Sequence, residues 1–210
     1  VNMNYRLVTY WSTEVTCATM MSDIKALIWK LKNSYSDCIN ATKIALMGYS
    51  AGGYLAYQYA IDYTQNTGTP SPIPVKLVIS VAGPTDLKAV WNNPPAGIPL
   101  CDPEGLLFSL SGGHQSYEPD FEHALEVISP FHSGVSIPTA LYTSMFYSSD
   151  DDFAQKEVHK APLYDAWNTA RRTCYDFASG SGIDHSNILS TCISNTSVRS
   201  IWQGAITGAC

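Results

Sequence analysis

The stretch Gly48-Tyr49-Ser50-Ala51-Gly52-Gly53 constrains this chain more than any other. A serine stands between two glycines in a Gly-x-Ser-x-Gly pattern. Lys43-Ile44-Ala45-Leu46-Met47 ahead of it reads as a short apolar strand, and Gly53 to Ala60 after it reads as the start of a helix. A tight strand-to-helix turn with serine at its apex forces the hydroxyl into the open and points the positive end of the helix at it. The pattern predicts that both Gly48 and Gly52 are required, because a Cβ at either would collide with the turn. The plain alternative is a glycine-rich structural turn, and the flanking strand and helix argue against it.

With 210 residues the chain has room for one domain with a real core. Hydrophobic residues make up 45% and charged residues 14%, and the net charge is −6 with no basic cluster. Nucleic acid and anionic membrane surfaces are therefore poor partners. No apolar run approaches the ~18 residues of a membrane span. The six cysteines, Cys17, Cys38, Cys101, Cys174, Cys192 and Cys210, are widely spaced with no Cys-x-x-Cys. That makes zinc and thioredoxin-type readings weak, and no metal or cofactor is expected. An even cysteine count, with sequons at Asn40-Ala41-Thr42 and Asn195-Thr196-Ser197, predicts a secreted or lumenal protein with disulfides and N-glycans at Asn40 and Asn195. The alternative is six reduced, buried thiols, and the pairing stays open. The chain opens on Val1 without an initiating methionine, and residues upstream are expected.

Along the chain, strands are expected at 1–9, 43–48, 75–81, 137–146 and 172–177, and helices at 18–34, 51–64, 119–127, 157–170 and 195–207. Met21, Ile24, Leu27, Ile28 and Leu31 share one face of the first helix. Residues 83–137 read as an irregular segment rich in Pro and Gly. Its Trp91, Pro94, Pro95, Phe108, Tyr117 and Phe121 are candidate pocket walls, although core packing explains them equally well. Strand and helix alternate, and the strands are apolar throughout. The fold class is α/β, a mostly parallel sheet covered by helices on both faces, in a single domain over 1–210 with a lid-like segment at 83–137. Ligands gather at the carboxyl ends of such strands, and Ser50 lies just past one.

A serine hydroxyl becomes a nucleophile when a histidine takes its proton and a carboxylate orients that histidine. In this fold class the chain order is serine, acid, histidine. Of His114, His123, His132, His159 and His185, only His185 sits in a glycine-bearing loop after the last strand, in Gly180-Ser181-Gly182-Ile183-Asp184-His185. The acid should follow the preceding strand, where Asp150-Asp151-Asp152 stands. Asp151 is preferred, with Asp150 next; Asp86 and Asp165 are placed less well. An oxyanion hole would take one donor from the backbone of Ala51. No His-Gly-Gly-Gly type loop precedes Ser50 to supply a second, and Gly112-Gly113-His114 lies downstream.

These motifs resemble the esterase and lipase branch of the α/β-hydrolase superfamily, in particular its carboxylesterase-like acyl hydrolases. The resemblance rests on Asn4-Tyr5-Arg6-Leu7, Asp23 to Trp29, Gly48 to Gly53, Gly83-Pro84-Thr85-Asp86-Leu87, Leu110-Ser111-Gly112-Gly113 and Ile128-Ser129-Pro130. It implies Ser50 as nucleophile, His185 as base and an acid among Asp150 to Asp152. It implies hydrolysis of small-molecule carboxylic esters through an acyl-enzyme, and a chain that begins where the family's fourth strand should. Two departures stand out. The family usually has His-Gly before its acid, where this chain has Thr143-Ser144-Met145-Phe146-Tyr147, and its oxyanion loop has no counterpart. The readings kept beside it are a non-catalytic protein on a hydrolase fold and a peptidase on the same fold.

Overall fold

Four apolar segments become the strands β1 (Ile44–Tyr49), β2 (Val75–Val81), β3 (Tyr142–Ser148) and β4 (Arg172–Phe177) of one sheet in the order β1-β2-β3-β4. Every neighbouring pair is parallel. Parallel neighbours need a crossover each, and the helices supply them. They are α1 (Cys17–Ser34), α2 (Ala51–Thr64), α3 (Leu87–Asn92), α4 (Pro103–Ser111), α5 (Phe121–Val127), α6 (Ala161–Ala166), α7 (Ile188–Ser194) and α8 (Thr196–Ala209). A π-helical turn, Lys156–Lys160, runs into α6. The computed structural model describes residues 1–39, 42–64, 70–94, 102–132 and 136–209.

The central strands β2 and β3 are buried nearly throughout, and the outer strands β1 and β4 only in part. Successive side chains of a strand point to opposite faces. On one face of β3, Thr143 Oγ1 lies 2.8 Å from the hydroxyl of Tyr57 on α2. On the other, Phe146 meets Trp202 of α8 edge-on at 5.7 Å. The sheet is thus covered on both sides, as its unbroken apolar strands require. Trp167, which also packs beside Tyr57, closes one end by donating from Nε1 to the carbonyl of Leu141 at 2.9 Å.

Helix α1 starts at a capping box of Thr16 and Thr19 and buries Cys17, Met20, Met21, Ile24 and Ile28. Residues 1–9, expected as a strand, form none. The backbone N–H of Arg6 and its guanidinium both bond the carboxylate of Asp23 on α1, so a donor that a ladder would use is taken by a side chain. Residues 83–137 hold more order than expected, since α3 and α4 join the anticipated α5. The signals are local. Asp86 caps α3 at the N–H of Ala89, Asp102 with Pro103 starts α4, and Gly112 ends it at φ 89°. Phe121 is core, edge-on to Trp91 at 5.2 Å, and Phe108 packs against Trp11, whereas Tyr117 is exposed. Pro95 lies outside the described residues.

The strand expected at 137–146 runs from Tyr142 to Ser148, and the helix expected over 157–170 ends at Ala166. The final helical region is two helices, α7 and α8, split at Asn195. Asn195 Oδ1 accepts the N–H groups of Ser197 and Val198, so this sequon asparagine serves as the cap of α8. Asn40 lies outside the described residues.

The expected disulfides are absent among the described residues. Cys17, Cys38, Cys174 and Cys192 are free thiols, while Cys101 and Cys210 lie outside the described set. Burial pushes Cys17 up to about 11 and Cys192 up to about 12, and Cys17 spends its polarity on the hydroxyl of Tyr54 at 3.0 Å. No helix among the described residues is long and apolar enough to cross a membrane.

The Tyr57 hydroxyl is the polar link between α2 and β3, and it is fully buried. Tyr57→Phe orphans Thr143 Oγ1 and should cost about 1–2 kcal/mol in urea unfolding with no change in m-value. A loss below about 0.3 kcal/mol would mean that the pair contributes nothing.

Candidate active site

The turn at Ser50 is shaped by contacts that leave no room for side chains. A Cβ on Gly48 would sit 2.1 Å from the carbonyl carbon and oxygen of Gly52. Gly53 has Ser80 Oγ at 2.5 Å and the Gly83 Cα at 3.1 Å from its would-be Cβ. A Cβ on Gly52, by contrast, would meet nothing within 4 Å. The expectation that Gly48 and Gly52 are both required is therefore half right. Gly52 contributes its backbone to the close approach, and the position that must be small inside the helix is Gly53. Ser50 itself adopts φ 52°, a left-handed conformation costly for a residue with a side chain, and donates its N–H to Val81 at 2.9 Å.

The two other predicted side chains converge on that serine. Ser50 Oγ lies 2.8 Å from His185 Nε2, and His185 Nδ1 lies 2.9 Å from Asp151 Oδ2. The Asp151 side chain is wholly buried and the His185 side chain 24% exposed. The second oxygen of Asp151 accepts the N–H groups of Phe153 at 2.9 Å and Ala154 at 2.8 Å. With Asp151 Oδ2 on its Nδ1 side and Ser50 Oγ on its Nε2 side, the ring can donate to the carboxylate through Nδ1 while Nε2 faces the serine hydroxyl.

The three consecutive aspartates divide their work. Asp151 faces the ring. Asp150 accepts the N–H groups of Gly180 at 2.8 Å and Gly182 at 3.0 Å, and the Ser181 hydroxyl at 3.2 Å. These bonds, led by that from Gly180, hold its carboxyl below the usual range. Asp150 thus clips the histidine loop to the end of β3, and Gly180 and Gly182 supply the positive φ values the loop needs. Asp152 is exposed. Asp184 stiffens the loop further by accepting from the Ser186 hydroxyl and the N–H groups of Ser186 and Asn187.

Sequence reasoning missed the aromatic walls of the imidazole. The Phe153 ring lies 4.6 Å from that of His185 and the Tyr49 ring 5.3 Å, and the Tyr49 hydroxyl donates to the His185 carbonyl. Tyr49 was visible as the residue before the serine, but nothing in its neighbours pointed to a residue 136 positions away. Ala51 is exposed as the first residue of α2, so its N–H is among those a helix leaves without an internal partner.

The remaining candidates sit elsewhere. Asp86 caps α3, and Asp165 is exposed, 3.7 Å from Arg172. His123 is exposed beside Glu126. His114, Glu118 and Asp120 form the one cluster with metal-ligand spacing among the described residues, on the exposed loop before α5. His159 is buried, its Nδ1 accepting the Thr85 N–H at 3.3 Å.

The parallel sheet, the turn after β1 and the loops that follow β3 and β4 define an α/β-hydrolase of esterase-like type. The BD-FAE family model matches residues 1–114, more than half of the chain, and the protein belongs to that family. No curated protein matches. Among solved structures, esterase B from Lactobacillus rhamnosis is similar with a TM-score of 0.65 at 18% identity, over 94% of this chain and 62% of its own. A truncated carbohydrate esterase from gut microbiota reaches a TM-score of 0.69 at 17% identity, over 99% and 73% respectively. An esterase from Pyrobaculum calidifontis gives 0.63 at 19%, over 97% and 63%. The chain spans under two thirds of the Lactobacillus enzyme's length. At these identities the likeness establishes the fold.

Two measurements follow. Gly48→Ala should cost several kcal/mol or abolish soluble expression, since a contact near 2 Å to backbone cannot relax, while Gly52→Ala should stay within about 1 kcal/mol of the parent in thermal unfolding. Equal damage from both would contradict the packing. Burial lowers His159 to about 4, so the native state resists its proton while the unfolded chain takes it up near 6.5. The sign follows: stability falls as pH drops from about 6.5 to 4, by about 3 kcal/mol from this group. NMR titration of the ring should show it mostly neutral at pH 5, about a tenth protonated; a midpoint near 6.5 would refute it.

Proposed function

We propose that this chain is the catalytic domain of a serine-dependent hydrolase of carboxylic esters. One observation carries the reading: the unbroken line from Ser50 Oγ through His185 to the buried Asp151. Membership of an esterase-like family and the esterases among its structural neighbours support esters over peptides as substrates.

In this mechanism Ser50 Oγ bonds to the ester carbonyl carbon as its proton passes to His185 Nε2. The imidazolium so formed keeps its Nδ1–H on Asp151, whose charge balances it at 2.9 Å. The carbonyl π pair moves to oxygen, and the Ala51 N–H at the head of α2 receives that oxyanion. Collapse restores the carbonyl and breaks the bond to the alkoxy oxygen, which leaves as alcohol with the proton from Nε2. Water then repeats the sequence on the acyl-serine, with His185 as base, and releases the acid. Tyr49 and Phe153 pack against the ring and restrict its rotation.

Hydrolysis of p-nitrophenyl acetate tests this. Ser50→Ala should lower kcat/KM by about 10³-fold or more with the far-ultraviolet circular dichroism unchanged. Activity within tenfold of the parent would reject the serine mechanism. A parent protein without activity would favour the non-catalytic reading.

A further inference from the structure

The reaction proposed above fixes where the alcohol half of an ester must sit. Collapse of the tetrahedral intermediate passes the proton on His185 Nε2 to the alkoxy oxygen. That oxygen therefore stands within hydrogen-bond reach of the ring, about 3 Å. The first carbons of the alcohol then touch whatever flanks the imidazole. The Nδ1 side is closed to them by the Asp151 carboxylate.

Two aromatic rings flank the imidazole. The Phe153 ring lies 4.6 Å from that of His185 and is tilted by 50°, and the Tyr49 ring lies 5.3 Å away and is tilted by 33°. Every atom of a five-membered ring lies close to its centroid, so Nε2 is itself in contact range of both. Both aromatic side chains are only half-buried, and 24% of the His185 side chain reaches solvent. An incoming alcohol group can thus meet the aromatic surfaces and the imidazole together.

The polar groups of these two residues are already engaged. The Phe153 N–H goes to Asp151 Oδ1 at 2.9 Å, and the Tyr49 hydroxyl gives its proton to the His185 carbonyl. The same bonds hold both residues in place before any substrate arrives, which lowers the cost of ordering them. What they present is ring carbon. An aromatic group on the alcohol gains stacked or edge-on contacts there. The hydroxyls of a polyol would lose water against the same surface and gain no donor from it.

We propose that Tyr49 and Phe153 form the alcohol subsite, that this subsite selects esters of alcohols carrying an aromatic ring, and that Phe153 is its specificity-determining residue. This selection rests on the serine reading above and adds to it the half of the ester that the site recognises.

The test compares kcat/KM of the full chain on benzyl acetate, ethyl acetate and glycerol monoacetate, which share one acyl group. Benzyl acetate should be favoured over each of the others by about tenfold or more. Phe153→Ala should reduce the benzyl-to-ethyl ratio at least fivefold, whatever it does to the absolute rates. Where that variant fails to fold, the parent protein answers by partitioning. During hydrolysis of p-nitrophenyl acetate, benzyl alcohol should capture the acyl-serine as benzyl acetate at least fivefold more than equimolar ethanol does. No benzyl preference, a preference for the glycerol ester, equal capture of the two alcohols, or a ratio unchanged in Phe153→Ala while all rates fall together would each overturn the proposal. A parent that hydrolyses the three esters through Ser50 without discrimination keeps the serine reading and ends this one. A parent inert to all of them ends both.

Discussion

Everything near Ser50 follows from how closely the backbone of β1 approaches the first turn of α2. Gly48 and the carbonyl of Gly52 are so near that no Cβ fits between them. Closing the turn this tightly leaves Ser50 at φ 52°, with its hydroxyl directed away from both elements and toward the histidine loop. Ala82, at the end of β2, is also left-handed, at φ 50°, and donates its N–H to Phe146 at 2.8 Å. Two strained residues at the ends of neighbouring strands indicate that the surrounding packing over-determines this edge of the sheet. Gly53, Gly83 and Ser80 are the small residues that allow α2 to sit so low on it.

The second requirement is that a histidine 135 residues away reaches the serine in one orientation. Three devices supply it. Asp150 ties the loop to the end of β3 through backbone amides, Asp184 stiffens it from within, and Tyr49 holds the His185 carbonyl from the elbow itself. The same tyrosine that precedes the nucleophile thereby fixes the position of its base. Asp151 is wholly buried and its other oxygen accepts two amides, so the carboxylate that faces the ring is itself fixed in place.

What could be read from the sequence was what depends on local pattern. The elbow, the helix after it and the strands β1, β2 and β4 were legible because apolar runs bounded by turn residues have few other uses. Ser50, Asp151 and His185 were placed by chain order along alternating strands and helices, and the structure brings their side chains together. What failed depended on partners. Residues 1–9 have strand-like composition, but Arg6 gives its backbone donor to Asp23. The requirement for glycine fell on Gly53 rather than Gly52, because the direction of a Cβ–to be at the head of a helix is invisible in a motif. Asp151 was the preferred acid, but the clip that Asp150 makes to Gly180 and Gly182 depends on where its side chain points and has no sequence signal. The even cysteine count suggested bridges, yet four of the six are thiols, two of them deep in the core. The caps at Asp86, Asp102 and Gly112 are visible in the sequence of 83–137 despite its Pro and Gly content.

The account stands or falls on whether the Ser50 hydroxyl is activated by His185. The direct measurement is peptide mapping by mass spectrometry after exposure to a fluorophosphonate, on the parent protein and on His185→Ala. The account predicts a single phosphonyl adduct on Ser50 in the parent and none in the variant over the same time. An adduct on another residue, or equal labelling of Ser50 without the histidine, would contradict it.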